Sequence, residues 1–204
     1  MSRIPLPYRL IERFLSTDRL TTYLHMAGGN HDQAVGLYLN NLHQCQRFYA
    51  GLHWLEIGLR NAINKQLSDT YGVEWYNSPV LALANKECEQ IEKAKNRLIR
   101  ENKPITNGSL IAELSFGFWV NLFNAPYDSL WRYGLRKAFA VADQSLQRKQ
   151  VSSALHPILK LRNRIAHYEP ILRLDLESLW LDMDKVIQWI EPEAKGLLNN
   201  VSKP

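Results

Sequence analysis

The chain has 204 residues, 46% hydrophobic and 22% charged, which is enough apolar material for a buried core and excludes wholesale disorder. Ten glycines and nine prolines exclude a fibrous or low-complexity chain, and no apolar run approaches the roughly 20 residues that cross a bilayer. The net charge of +5 permits a nucleic-acid partner without demanding one.

The N-terminal MSRIPLPYRLIERF places charge and proline where a secretory leader needs an apolar stretch, so a cytoplasmic protein without a membrane segment is expected. Cys45 and Cys88 form no C-x-x-C pair and no disulfide framework. With no H-x3-H spacing either, no metal or other cofactor is expected. The whole chain, 1–204, reads as one domain.

Nearly every segment repeats at the helical period. A short helix is predicted over about Tyr8–Leu15 and a second to about Met26, with Ser16, Thr17 and Asp18 offering capping oxygens. Gly28-Gly29-Asn30 ends the second. The longest stretch runs from Asp32, its expected cap, to about Tyr71, with a break expected near Asn40-Asn41 because a helix of about 40 residues is long for a globular domain. Asn85–Asn102 is a polar surface helix. SLIAELSFGFWVNLF reads as one buried helix capped by Asn107 or Ser109, and Tyr127–Ala140 as another. The last long elements are a helix over about 145–168, stopped before Pro170, and one capped by Asp175. No window alternates as a sheet strand does and no glycine-rich phosphate loop occurs. The expected fold is an all-α bundle of about seven or eight helices.

One segment carries candidate chemistry: Leu161-Arg162-Asn163-Arg164-Ile165-Ala166-His167-Tyr168-Glu169-Pro170. With 14 Arg and 6 His, chance supplies about 0.4 R-x4-H matches, and about 0.03 once Asn must follow the arginine. Val151, Leu155, Ile158, Arg162 and Ile165 follow at steps of four and three, so Arg162 lies in the apolar stripe of its own helix. A guanidinium there needs a carboxylate such as Glu56 or Glu113, or a cleft that takes an anion. His167 lies about 140° further around the helix and shares a face with Asn163. It can be a proton carrier or simply a helix-end histidine.

Together the three suit metal-free cleavage of RNA. An imidazole takes the proton of the attacking 2′-hydroxyl, a guanidinium holds the charge on phosphorus, and Asn163 orients the ring or binds a phosphate oxygen. A two-fold dimer would supply the second acid/base group that one chain lacks. Lys160, Arg164 and Arg173 flank the motif as candidate contacts to the RNA backbone. Arg132, Arg136 and Lys137 form a second basic group. Leu59-Arg60-Asn61-Ala62-Ile63-Asn64-Lys65 echoes the motif with lysine in place of histidine, which makes Arg60 a supporting candidate with Glu56 as its intrahelical partner. Trp75-Tyr76 either stacks on a base or plugs one end of the bundle.

The segment resembles the Abi-like (abortive-infection) family of the HEPN superfamily. Leu55-Glu56-Ile57-Gly58-Leu59-Arg60-Asn61-Ala62-Ile63 is similar to that family's L-E-x-x-L-R-N-A-I helix, and Glu113-Leu114-Ser115-Phe116-Gly117-Phe118-Trp119 to its E-L-S-F-G-x-W segment. The three motifs span about residues 10–190. The resemblance implies a homodimer of HEPN helical bundles with Arg162 and His167 of both subunits in one cleft. It also implies metal-independent endoribonuclease activity in phage defence or as a toxin, and it leaves room for an antitoxin or inhibitor. A non-catalytic bundle that binds RNA or a protein partner is the alternative. Some HEPN toxins carry H-x-Y, whose tyrosine a partner nucleotidyltransferase modifies. Here Tyr168 follows His167 directly and Glu169 holds that place, so Tyr168 is a supporting candidate of a different kind.

Overall fold

A computed structural model describes residues 7–140, 145–194 and 196–200. The opening residues of the N-terminal segment discussed above lie outside this range. The described residues form nine α-helices and no strand, an all-α bundle. They are α1 (Tyr8–Leu15), α2 (Thr17–Met26), α3 (His31–Tyr71), α4 (Asn85–Arg100), α5 (Asn107–Glu113), α6 (Phe116–Asn121), α7 (Asp128–Tyr133), α8 (Arg148–Ala166) and α9 (Leu176–Ile190). No helix among the described residues is long and apolar enough to cross a membrane.

The bundle is organised by α3, one unbroken helix of 41 residues. At 1.5 Å per residue it is about 60 Å long. Its C-terminal two-thirds buries Phe48, Leu52, Leu55, Leu59, Ile63 and Leu67 in the main core, against α6, α9 and the turn over Leu135–Ala138. Its first turns bury Ala34 and Val35 in a smaller cluster with Tyr8 and Ile11 of α1 and Leu20 and Tyr23 of α2. Because α1 and α2 cover that end, the helix does not break at Asn40-Asn41. Asn41 is buried, and its Oδ1 accepts the backbone N–H of Ile171 at 2.7 Å. An asparagine that looks like a local breaker is therefore a long-range tie. The helix cap is Asn30, which accepts from the Gln33 N–H at 3.0 Å, and not Asp32.

Other departures also have local causes. The apolar run after Thr106 is two helices. Leu114 is extended, and Ser115 opens α6 by accepting from the Phe118 N–H. Thr106 and Ser109 cap α5 reciprocally, so the cap lies one residue before Asn107. Tyr127–Ala140 is broken at Gly134 into α7 and a 3-10 turn over Leu135–Ala138. Asp175 caps α9 as its sequence implies, accepting from the Ser178 N–H at 3.0 Å. Trp75 and Tyr76 are buried, and the Trp75 indole donates to Asn64 Oδ1 at 2.8 Å, so this pair plugs the bundle and does not await a base.

Candidate active site

The end of α8 and the loop after it are held from three sides. Residue 168 has φ 58°, a left-handed conformation. The Tyr168 N–H donates to Ile165 O at 3.1 Å and the Glu169 N–H to Arg164 O at 2.8 Å, which closes α8 as a Schellman motif. Arg19 of α2 donates to Tyr168 O at 2.7 Å, Asn41 of α3 holds Ile171, and Arg164 donates to Pro170 O at 2.9 Å. His167 is the helix-capping residue of this fixed corner, and its side chain is exposed.

The two neighbours Arg162 and Asn163 face different grooves. Arg162 lines a cleft of about 330 Å³ between α3 and the last turns of α8. Tyr49, His53, Glu56, Ile57 and Arg60 form its α3 wall, with Ile165 and Ala166 beside Arg162. Asn163 lines a shallower groove on the other side of α8 with His156, Lys160, Arg164 and Glu169. His167 lines neither. An exposed histidine on a helix end can still meet a second molecule, but the three motif residues do not converge within one chain.

The carboxylate that answers Arg162 is Glu56. Its Oε2 lies 3.3 Å from the Arg162 Nε, with the two side chains 28% and 35% exposed. Glu113, the other candidate, pairs with Arg97 at 3.2 Å. The expected intrahelical Glu56–Arg60 pair does not form. Arg60 Nε instead approaches Asn61 Oδ1 at 3.4 Å, and among the described residues Arg60 makes no ion pair. The cleft therefore holds two guanidiniums against one carboxylate. Only the Nε edge of Arg162 is engaged among the described residues, so its terminal nitrogens can donate to an anion.

Of the flanking cations, Lys160 and Arg173 are exposed, whereas Arg164 spends its donors on Pro170 O and on Glu169 at 3.8 Å. Arg164 is a structural tie more than a backbone contact. In the second basic group Arg132 is paired with Asp128, whose carboxyl is held below the usual range by hydrogen bonds from Arg132 and Arg148. Lys65, the residue that replaces histidine in the internal echo, pairs with Asp69 at 2.6 Å. No group of three potential metal ligands occurs among the described residues.

Two residues of the cleft escaped the sequence reading, Tyr49 and His53. The signal was present: positions 49, 53, 56 and 60 follow at steps of four, three and four, one face of α3. That face was hidden because the apolar stripe of the same helix dominates its pattern. Comparison with protein-family models, with curated proteins and with solved structures finds no match to this chain.

Proposed function

We propose that the chain is a metal-independent endoribonuclease of the HEPN type. It would act in the cytoplasm in phage defence (abortive infection) or as a toxin, with a cognate antitoxin or inhibitor as its regulator, as a homodimer that brings two copies of the motif into one cleft. The observation that carries the reading is the half-open guanidinium of Arg162, positioned on its Nε edge by Glu56 and facing a cleft with Arg60. Exposed His167, fixed by the corner at the end of α8, supports it.

In this mechanism His167 accepts the 2′-hydroxyl proton. The 2′-oxygen forms a bond to phosphorus, the bond from phosphorus to the 5′-oxygen breaks, and that oxygen takes a proton from the second imidazole of the dimer. The products are a 2′,3′-cyclic phosphate and a 5′-hydroxyl. Arg162 bears the charge that grows on the phosphoryl oxygens.

A second reading has a specific observation behind it. Arg162 is paired with an acid and His167 lies outside the cleft, which also fits a HEPN bundle that binds RNA or a protein partner without cutting. Purified protein incubated with RNA in EDTA decides between them. The nuclease reading expects cyclic-phosphate ends, lost in a folded His167→Ala variant. Binding without cleavage by the unaltered chain establishes the second reading.

A further inference from the structure

The face of α3 that borders the cleft carries more than the motif requires. Tyr49 is 71% exposed although it is a large aromatic. His53, one turn on, is exposed and makes no hydrogen bond or ion pair among the described residues; its only ring contact is edge-on to Trp54 at 6.4 Å. Trp54 is itself 48% exposed. Leu52 and Ile57 supply apolar lining between these rings and the charged end, where Arg60 and Arg162 sit with Glu56. The cleft thus has an aromatic end and a cationic end two to three helical turns apart along α3, roughly 10–17 Å along the axis from residue 53 or 49 to residue 60.

A ligand that satisfies both ends is a planar ring joined to an anion. Its ring stacks on Tyr49 or His53, and its anion accepts from the terminal nitrogens of Arg60 and Arg162. Glu56 lowers the net charge of this end to +1 and leaves the Arg162 terminal nitrogens unengaged, so the site suits a singly charged phosphodiester better than a polyphosphate. The volume of about 330 Å³ lies at the lower end of ligand pockets and takes one nucleotide, not a stacked pair. A fully aliphatic peptide would leave the guanidiniums unanswered, and a duplex would present no free base to the rings.

We propose that this cleft is a binding subsite for one unstacked nucleotide, with Tyr49 and His53 as its base wall and Arg60 with Arg162 as its phosphate end. The subsite stands on the cleft alone and holds whether or not the chain cuts RNA. The same chemistry could come from a free mononucleotide or from a nucleotide within a single strand. The strand is favoured by the position of the cleft at the surface, where Tyr49 and His53 are exposed.

The test uses a fluorescein-labelled 2′-O-methyl octanucleotide, which lacks the nucleophile for cleavage, followed by anisotropy with the full chain. Uridine and adenosine monophosphate serve as competitors, and a matched duplex as the comparison. The single strand is expected to bind, the duplex at least tenfold more weakly. Tyr49→Ala and His53→Ala should each weaken binding about fivefold or more, the loss that one stacked base produces. Arg60→Gln should weaken it and flatten the salt dependence by about 0.7 in slope. These side chains are exposed or at the cleft surface, so circular dichroism should show the variants folded. Competition by monophosphates near the octanucleotide's own affinity assigns the cleft to free nucleotides; weak competition assigns it to a strand. No binding by the unaltered chain, equal binding of duplex, or unchanged affinity in both aromatic variants overturns the proposal. So does sedimentation showing that Tyr49→Ala dissolves a dimer, because the ring is then an interface between copies of the chain.

Discussion

Glu56 and Arg162 meet at 3.3 Å across 106 residues of sequence, and the contact reaches only the Nε edge of the guanidinium. A carboxylate so placed orients the fork and leaves its outer nitrogens to a ligand. It also subtracts one charge from the cleft. Both side chains are about a third exposed, so the pair is worth little to the fold. Glu56→Gln should lower the unfolding free energy by less than about 1 kcal/mol. The same change should tighten binding of an uncleavable oligonucleotide at low salt by about threefold, roughly 0.7 kcal/mol. Urea melts and anisotropy measure the two. A weaker complex would mean that Glu56 itself touches the ligand or that Arg162 needs it for placement.

Asn41 makes the opposite kind of contact. It is 2% exposed, and its Oδ1 takes the Ile171 N–H in the buried wall beneath the motif's exit loop. Removing the acceptor strands a buried donor, a loss of about 1–3 kcal/mol. Asn41→Ala should therefore lower the midpoint of denaturation. It should also speed hydrogen exchange at Ile171 more than at the core of α3. Equal acceleration at both places would show that the tie is not local to the loop.

The helical periods made most of the fold legible. The apolar stripe of α3, the stop before Pro170 and the Asp175 cap are all local, so spacing and capping chemistry reveal them. What stayed hidden was set by a distant partner or by a local cap that the apolar run masks. Asn41 reads as a breaker until Ile171 is brought beneath it. Leu114-Ser115 reads as helix interior until the Ser115 hydroxyl caps α6. The site divided in the same way. Arg162 in its stripe announced a need for a carboxylate, and Glu56 was one of two candidates named. The 100° between helix neighbours already separates Asn163 from Arg162, but which groove each meets, and that Tyr49 and His53 join the Arg162 cleft, depends on how α3 and α8 pack.

Tyr127 offers a test of burial by pH. Its hydroxyl donates to the buried carboxylate of Glu87 at 2.6 Å and accepts from the Ala84 N–H at 3.0 Å. Burial first, and then the bond to Glu87, push the phenol up to about 12. The unfolded phenol titrates near its ordinary value of about 10. Folding then favours the protonated phenol. Its contribution is complete below about pH 10 and is lost as pH rises towards about 12, on the order of 2–3 kcal/mol. Tyr127→Phe should be less stable at neutral pH, because among the described residues the Glu87 side chain then keeps only Asn121 as a partner, at 3.3 Å. It should also show a shallower fall in stability over that alkaline window. Parallel curves for the two proteins would place the titration elsewhere.

Tyr168 occupies the place where a helix usually ends in glycine. Its φ of 58° and the two hydrogen bonds that close α8 define the left-handed cap residue of a Schellman motif. A side chain in that conformation costs about 1–2 kcal/mol. The ring gains nothing back by burial, being 77% exposed. Tyr168→Gly should therefore stabilise the protein by about 1 kcal/mol, read as a higher denaturation midpoint with unchanged slope. On the proposed reading the exposed Tyr168 ring, next to His167, takes part in RNA handling. The same variant should then lose RNA affinity or cleavage while gaining stability. A gain in stability with RNA handling intact would leave the ring idle. No gain at all would mean that contacts to the Tyr168 backbone, such as the Arg19 bond at 2.7 Å, already offset the conformational cost.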